Sequence, residues 1–357
     1  MSSFRRGLRD PNPLVLVVAG LLLVPALLGL QWIVTSGIYT RVVSESSLNR
    51  RTSDDWAHVS WQVGHLKQSP PQTPAVYLLG GSTTREMLIS NASMERAIRQ
   101  VTGRDVLVND LASMNQSFGQ SMAIADNLPP KDAVLLIGVN QARFTAPPID
   151  NEDQIVGRPL LLRSADLRSF VAARYGRYKY SYTILPGIMS YIVSYLQEGS
   201  AELKSGHLPD HPFNTHRYTV VHQYGLDKKQ ALVKKWIKKR APEFLKNYDY
   251  NAALMEELVR DAKARGFTVV LFNLPLNDQV VAGRFDVYTA RYKTLCAELA
   301  VKYGVTYMDI MPQLGLVSGD FQDLTHVVEP GRAKLEPVLA AALGDLITGT
   351  KQGSDAR

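Results

Sequence analysis

The chain predicts an α/β fold: about five parallel strands with helices on both faces, preceded by one transmembrane helix and interrupted by a long helical insertion. Three observations predict it. Five short, apolar, partly β-branched runs alternate with segments of helical spacing. An uncharged apolar run of membrane-spanning length stands near the first residue. A stretch far longer than a βα connection needs separates the third apolar run from the fourth. With 357 residues, 45% hydrophobic and 20% charged, the chain can bury one large core and does not have the composition of a disordered protein.

The N-terminal element is the apolar run at 14–34, which contains no charge and is long enough to cross a hydrocarbon layer of roughly 30 Å. Arg5, Arg6 and Arg9 precede it and only Arg41 follows closely, so the positive-inside tendency puts residues 1–13 in the cytoplasm and exports the rest. A cleaved signal peptide is the rival reading. The run exceeds the usual ~7 to 15 residues of such a segment and no small-x-small site follows Trp32, which favours a retained anchor. Pro25 can kink this helix without preventing insertion. Residues 35–73 read as a juxtamembrane spacer, polar with scattered aromatics (Trp56, Trp61) and ending in Ser69, Pro70 and Pro71. Residues 74–357 form the exported domain.

Within that domain the runs at 75–79, 106–108, 133–137, 267–272 and 305–308 are predicted strands. The stretches at 94–101, 121–128, 251–264 and 288–302 carry helical spacing, and 331–347 is a final helix. Cys296, the one cysteine, has no internal disulfide partner and sits in an amphipathic stretch where it packs as a small apolar residue. The insertion spans about 143–249. Its first part, with Arg174, Tyr175, Arg177, Tyr178, Tyr180 and Tyr182, runs into an apolar stretch at 184–195 that suits a membrane surface. Its second part, 226–245, clusters Lys228, Lys229, Lys234, Lys235, Lys238, Lys239 and Arg240 around Leu232, Val233, Trp236 and Ile237, as in a basic amphipathic helix. Much of the net charge of +7 gathers there. Two readings stay open: a solvated helix face that packs Trp236 inward, or contact with anionic lipid headgroups or an anionic glycan. Export leaves no role for nucleic acid.

Chemistry-bearing residues stand at the carboxyl ends of the predicted strands. The first strand ends in Gly80-Gly81-Ser82 before helical sequence resumes near Met87, which places Ser82 at a strand-to-helix turn with backbone N–H groups nearby. No lysine follows in the Walker pattern, and the second glycine of a G-x-S-x-G elbow is missing. The third strand runs into Gly138-Val139-Asn140-Gln141, where the Asn140 amide can donate to a developing oxyanion or cap a turn. After the second strand, Ala112 in the segment 110–116 offers a further backbone N–H. Asp323-Leu324-Thr325-His326 precedes the last helix, and in a turn its carboxylate can accept from the imidazole Nδ1–H, leaving Nε2 free to take a serine proton. The other histidines, at 58, 65, 207, 211, 216 and 222, fall in the spacer or the insertion. His211 and His216 lack zinc-ligand spacing, so neither a metal nor a cofactor is expected.

Taken in order, GGS at 80–82, ASMNQ at 112–116, GVN at 138–140 and DLTH at 323–326 resemble the four blocks of the SGNH/GDSL hydrolase superfamily. The resemblance implies a flavodoxin-like three-layer sandwich with strand order 2-1-3-4-5, in which Ser82 and Asn140 meet at the switch point. It implies a triad of Ser82, His326 and Asp323, with an oxyanion hole from the N–H groups of Ser82 and Ala112 and the amide of Asn140. Gly81 stands where the family usually has aspartate, Ala112 stands for its oxyanion glycine, and Gln141 replaces the aspartate common after the asparagine. With the anchor, these relaxed blocks are similar to the bacterial branch that modifies cell-envelope polymers. That likeness implies a serine esterase or O-acyltransferase on envelope glycans or lipids, with the cell membrane and, in some members, a membrane-bound O-acyltransferase as partners. A non-catalytic accessory subunit of such a system is the alternative.

Overall fold

Five buried runs pair as parallel strands: β1 (Ala75–Leu79), β2 (Leu107–Asp110), β3 (Ala133–Val139), β4 (Thr268–Asn273) and β5 (Thr306–Met308). Their order is β2-β1-β3-β4-β5, as the resemblance implied. All residues of β1 and β3 are buried, as expected of central parallel strands covered on both faces. The computed structural model describes residues 13–45, 55–148, 164–175 and 223–349. Arg5, Arg6 and Arg9, residues 46–54, the arginine- and tyrosine-rich and apolar stretches within 176–222, and His207, His211, His216 and His222 lie outside those residues.

The helices are α1 (Pro13–Ser36), α2 (Asp55–Gln68), α3 (Ser82–Arg85), α4 (Asn91–Thr102), α5 (Phe118–Ala125), α6 (Ala165–Tyr175), α7 (Leu226–Ala264), α8 (Asp278–Val281), α9 (Asp286–Tyr303), α10 (Met311–Leu314) and α11 (Glu329–Gly349). Strand alternation divides the core between the two faces of the sheet. Ala75, Tyr77 and Leu79 face a cluster filled by α2, α5, α6, α9 and the C-terminal half of α7. Val76 and Leu78 face a second cluster, filled mainly by α4 and α11. Cys296 is fully buried in the first cluster, at the position expected of it.

Two elements differ from the sequence expectation. The stretch read as spacer contains α2, whose Trp56, Val59, Val63 and Leu66 recur every three or four residues and insert into the first core cluster. At the insertion, neither expected limit is a structural boundary. Arg143 is buried in a short 3₁₀ turn (Gln141–Thr145) directly after β3, and residue 249 lies inside α7. The basic stretch 226–245 and the predicted helix 251–264 are one helix of 39 residues, continuous through Pro242. The described part of α6 also belongs to the body, with Leu167, Phe170 and Val171 in the first cluster.

Helix α1 is long and apolar enough to cross a membrane, with a mean hydropathy of 2.3 over Val17–Ser36 and no part of that window buried. Its C-terminal end is bound to the domain. Lys67 Nζ donates to Thr35 O (3.1 Å), Gln68 Nε2 to Ser36 O (2.8 Å), Tyr39 Oη to Ser60 O (3.0 Å) and Trp61 Nε1 to Val43 O (2.7 Å). Gly37, in the left-handed region at φ 81°, lets the chain turn against Gly64, whose Cα would lie 2.8 Å from any Cβ at residue 37.

Candidate active site

Ser82, Asp323 and His326 meet above the carboxyl ends of β1 and β3. Gly80 adopts φ 159° and Gly81 leads from extended backbone into α3, so Ser82 opens a helix with its N–H lacking an intrahelical acceptor. A Cβ on Gly80 would lie 2.8 Å from Thr84 Cβ, and one on Gly138 would lie 3.0 Å from Leu274 Cδ2. Glycine is therefore needed at both strand ends to let Thr84 pack between them.

The loop carrying Asp323 and His326 is closed by the antiparallel bridge between Phe321 and Val327 and by Gln322 N–H donating to His326 O at 2.8 Å. His326 Nδ1 lies 2.9 Å from Asp323 Oδ2, and Nε2 lies 2.8 Å from Ser82 Oγ. An ionised carboxylate only accepts, so Nδ1 carries the proton and Nε2 accepts from the serine hydroxyl. Asp323 Oδ1 also accepts the N–H groups of Thr325 and His326, both at 2.9 Å. Burial works to raise the Asp323 carboxyl, but the His326 hydrogen bond and charge together with those two N–H donors outweigh it and hold it below the usual carboxylate range. Thr83 Oγ1 donates to Thr325 Oγ1 at 3.2 Å, tying the serine turn to the histidine loop.

Asn140 joins this site from the end of β3. Its Oδ1 accepts from Ala142 N at 3.1 Å, which caps the 3₁₀ turn, and Nδ2 has no partner among the described residues. The cap fixes the amide and leaves its donor end at the cleft. Ala112 does not fit the role expected of it. Its N–H is committed to Asp110 Oδ1 at 3.0 Å, and the residue is fully buried. The carboxyl of Asp110 caps the turn after β2 and takes up that donor. Asn115, at φ 56°, lines the cleft from the same segment instead.

Three residues support the site in ways that the sequence did not assign to them. Gln116 Oε1 accepts Gly80 N–H (2.9 Å) and the Ser121 hydroxyl (2.8 Å), while Nε2 donates to Leu111 O (2.8 Å), so one side chain joins the serine turn to the β2 loop. Asp55, at the start of α2, accepts from Arg85 Nη1 and Met114 N, both at 2.6 Å. Arg143 lines the cleft and donates to backbone carbonyls on both neighbouring loops. Each acts through contacts distant in sequence, and only a glutamine, an aspartate and an arginine in ordinary contexts marked them.

His58 bonds Glu45 at 2.6 Å and His65 stacks on Trp61, so both belong to the base of the domain. Elsewhere, Asp126, Asp166 and Asp261 bring carboxylate oxygens within 4.8 Å of one another. Burial and the neighbouring Asp261 carboxyl push Asp126 up to about 8, so this group relieves its repulsion by holding a proton.

The lysine-rich half of α7 packs inward on the side facing the histidine loop. Val233 is buried with Leu324, and Trp236 rests on Phe285 and Tyr288 at ring distances of 4.4 and 5.0 Å. Lys229 is itself buried, and its Nζ donates to Ser318 O (2.6 Å) and Phe321 O (2.9 Å). Lys228, Lys234, Lys235, Lys238 and Lys239 are exposed, and Arg240 reaches the rim of the cleft.

No protein-family model matches the chain, and no curated protein matches its sequence. Among solved structures, a lipase/acylhydrolase from Enterococcus faecalis is similar at a TM-score of 0.37 and 7% identity, over 76% of this chain and 96% of that one. So distant a likeness says nothing about chemistry, which the side chains of the cleft must carry.

Proposed function

We propose that the chain is a serine esterase or O-acyltransferase of the SGNH type, acting on acyl esters of cell-envelope glycans or lipids, with acetyl the preferred acyl group. The observation that carries this reading is the unbroken chain from Asp323 through His326 to Ser82, with hydrogen bonds of 2.9 and 2.8 Å. In the reaction, His326 Nε2 takes the hydroxyl proton as Ser82 Oγ bonds to the ester carbonyl carbon. The oxyanion that forms is met by the Ser82 N–H and the Asn140 amide. Collapse breaks the bond to the alcohol oxygen, which leaves with the proton from His326, and Ser82 keeps the acyl group. Water or a sugar hydroxyl then gives its proton to His326 as its oxygen bonds to the acyl carbon, and collapse breaks the bond to Ser82 Oγ, which takes that proton back from His326. Asp323 holds the imidazole in the tautomer that both steps need.

We infer the setting from α1 and the charges that flank it. The arginines at 5, 6 and 9 favour an N-terminus inside and a domain outside the cytoplasmic membrane. The exposed lysines of α7 suit a membrane-bound O-acyltransferase or a glycan as neighbour, which also keeps the accessory-subunit reading in view.

The test is intact mass and turnover of the full chain in detergent, after exposure to a fluorophosphonate and with p-nitrophenyl acetate as ester. One label per chain and measurable turnover are expected. Ser82→Ala should lose both, and His326→Ala should slow turnover by about a thousandfold or more. A folded wild-type protein that neither labels nor turns over would shift the assignment to the accessory subunit.

A further inference from the structure

Arg143 is 5% exposed and lies in the wall of the cleft that Ser82 and Asn140 also line. Its guanidinium donates to Gly138 O (2.7 Å), Gln116 O (3.3 Å), Ser117 O (3.1 Å) and Ser121 Oγ (2.6 Å), and it stacks over Phe118 with 4.0 Å to the ring centre. Every one of these partners is neutral. The other two buried arginines near the serine turn are neutralised: Arg85 by Asp55 and Glu86, and Arg332 by Glu86. No carboxylate pairs with Arg143 among the described residues, and burial alone pushes its guanidinium down to about 9. A buried cation without a counter-ion is unfavourable unless something compensates for it. Fastening the loops does not by itself need a charge, since neutral amide donors such as those of Gln116 do the same work nearby.

We propose that Arg143 is a positioning residue whose unpaired charge is balanced by the oxyanion formed at Ser82. Its hydrogen bonds lock the β2 and β3 loops, which bear Asn115 and Asn140, while its field favours the negative charge that appears only in the reaction. A fixed charge in a water-poor wall acts more strongly than the same charge in water and requires no reorganisation as the oxyanion forms. This inference rests on the serine acyl-transfer reading above. It adds a contributor absent from the sequence blocks that suggested that reading.

Two variants separate charge from clamping: Arg143→Gln keeps hydrogen-bond donors and loses the charge, and Arg143→Lys keeps the charge and loses the fork. With p-nitrophenyl acetate and the full chain in detergent, Arg143→Gln is expected to lower kcat about a hundredfold with KM within about threefold of wild type. Arg143→Lys should retain kcat to within about tenfold, and fluorophosphonate labelling rates should follow kcat. A folded Arg143→Gln protein with wild-type kcat overturns the proposal, as does an Arg143→Lys protein as slow as Arg143→Gln. If Arg143→Gln does not fold, Arg143→Lys decides alone: retained kcat supports the proposal and a hundredfold loss overturns it. Ser82→Ala run alongside separates the two levels. Absence of Ser82-dependent labelling in the wild type removes the acyl-transfer reading itself, whereas normal labelling with no charge dependence at residue 143 removes only the role of Arg143.

Discussion

Asp110 and Asp323 are both carboxyls withdrawn from water behind the cleft, and their surroundings drive them in opposite directions. Asp323 has His326 and two backbone N–H donors to stabilise its charge, and stays ionised well into acid. Asp110 has one N–H, from Ala112, while its Oδ2 is buried without a partner. Burial pushes Asp110 up to about 8, against the smaller opposing pull of the Ala112 N–H and Arg85. It is therefore protonated at neutral pH. For a carboxyl raised in the folded state, the stabilisation is fully present below the unfolded value of about 3.9 and is lost as pH rises toward the folded value. Asp110→Asn keeps the acceptor for Ala112 and removes the titration. Thermal unfolding in detergent should place this variant close to wild type at pH 5 and above it at pH 9; a constant offset across that range would mean that Asp110 is ionised throughout. Asp323→Asn has the opposite signature, because it removes a stabilisation present at neutral pH and lost only as pH falls through the depressed Asp323 value.

At the scale of elements, β1 to β5 were legible because buried parallel strands are continuous apolar runs, and each observed strand lies within two residues of its prediction. Ser82, Asn140, Asp323 and His326 were legible for a related reason: a strand end or a tight turn is written in adjacent residues. Helix α2 was not, since Asp55, His58, Ser60 and Gln62 dilute its apolar stripe until it reads as polar linker. The length of α7 was hidden by Pro242 and by the change from a basic to an apolar pattern near residue 246. That continuity gives the inserted half of α7 a mechanical task, because Lys229 and Leu324 fix the loop of Asp323 and His326 against it. Lys229→Met leaves the carbonyls of Ser318 and Phe321 without that donor, at a cost of about 1–3 kcal/mol. Turnover of p-nitrophenyl acetate should fall about tenfold as the histidine loop loosens. The exposed pair Lys238→Met and Lys239→Met should leave that turnover unchanged. Equal effects from the buried and exposed lysines would show that α7 acts through its surface charge and not as a support.

For the molecule as a whole, the consequence is that the domain does not hang from α1 on a loose tether. The last turn of α1, the 3₁₀ turn at Ile38–Arg41 and the face of α2 form one packed base, and Asp55 at the start of α2 reaches the loop after β2. The cleft is thereby held in a set position relative to the end of α1, the helix long and apolar enough to cross a membrane. The packed base also divides the N-terminal region into a dispensable part and an essential part. Removing residues up to Ser36 loses the bonds from Lys67 and Gln68 but keeps Tyr39 on Ser60 and Trp61 on Val43. Removing residues up to Val43 exposes the side of α2 that those residues cover, and it strips the partner from the Trp61 indole. Thermal unfolding should therefore find a chain beginning at Gly37 soluble without detergent and within about 3 °C of the full chain, and one beginning at Ser44 lower by roughly 5 °C or more, as expected for the loss of about 1–2 kcal/mol. Equal melting of the two shortened chains would show that the base is a passive connection and that α1 is joined to the domain by the chain alone.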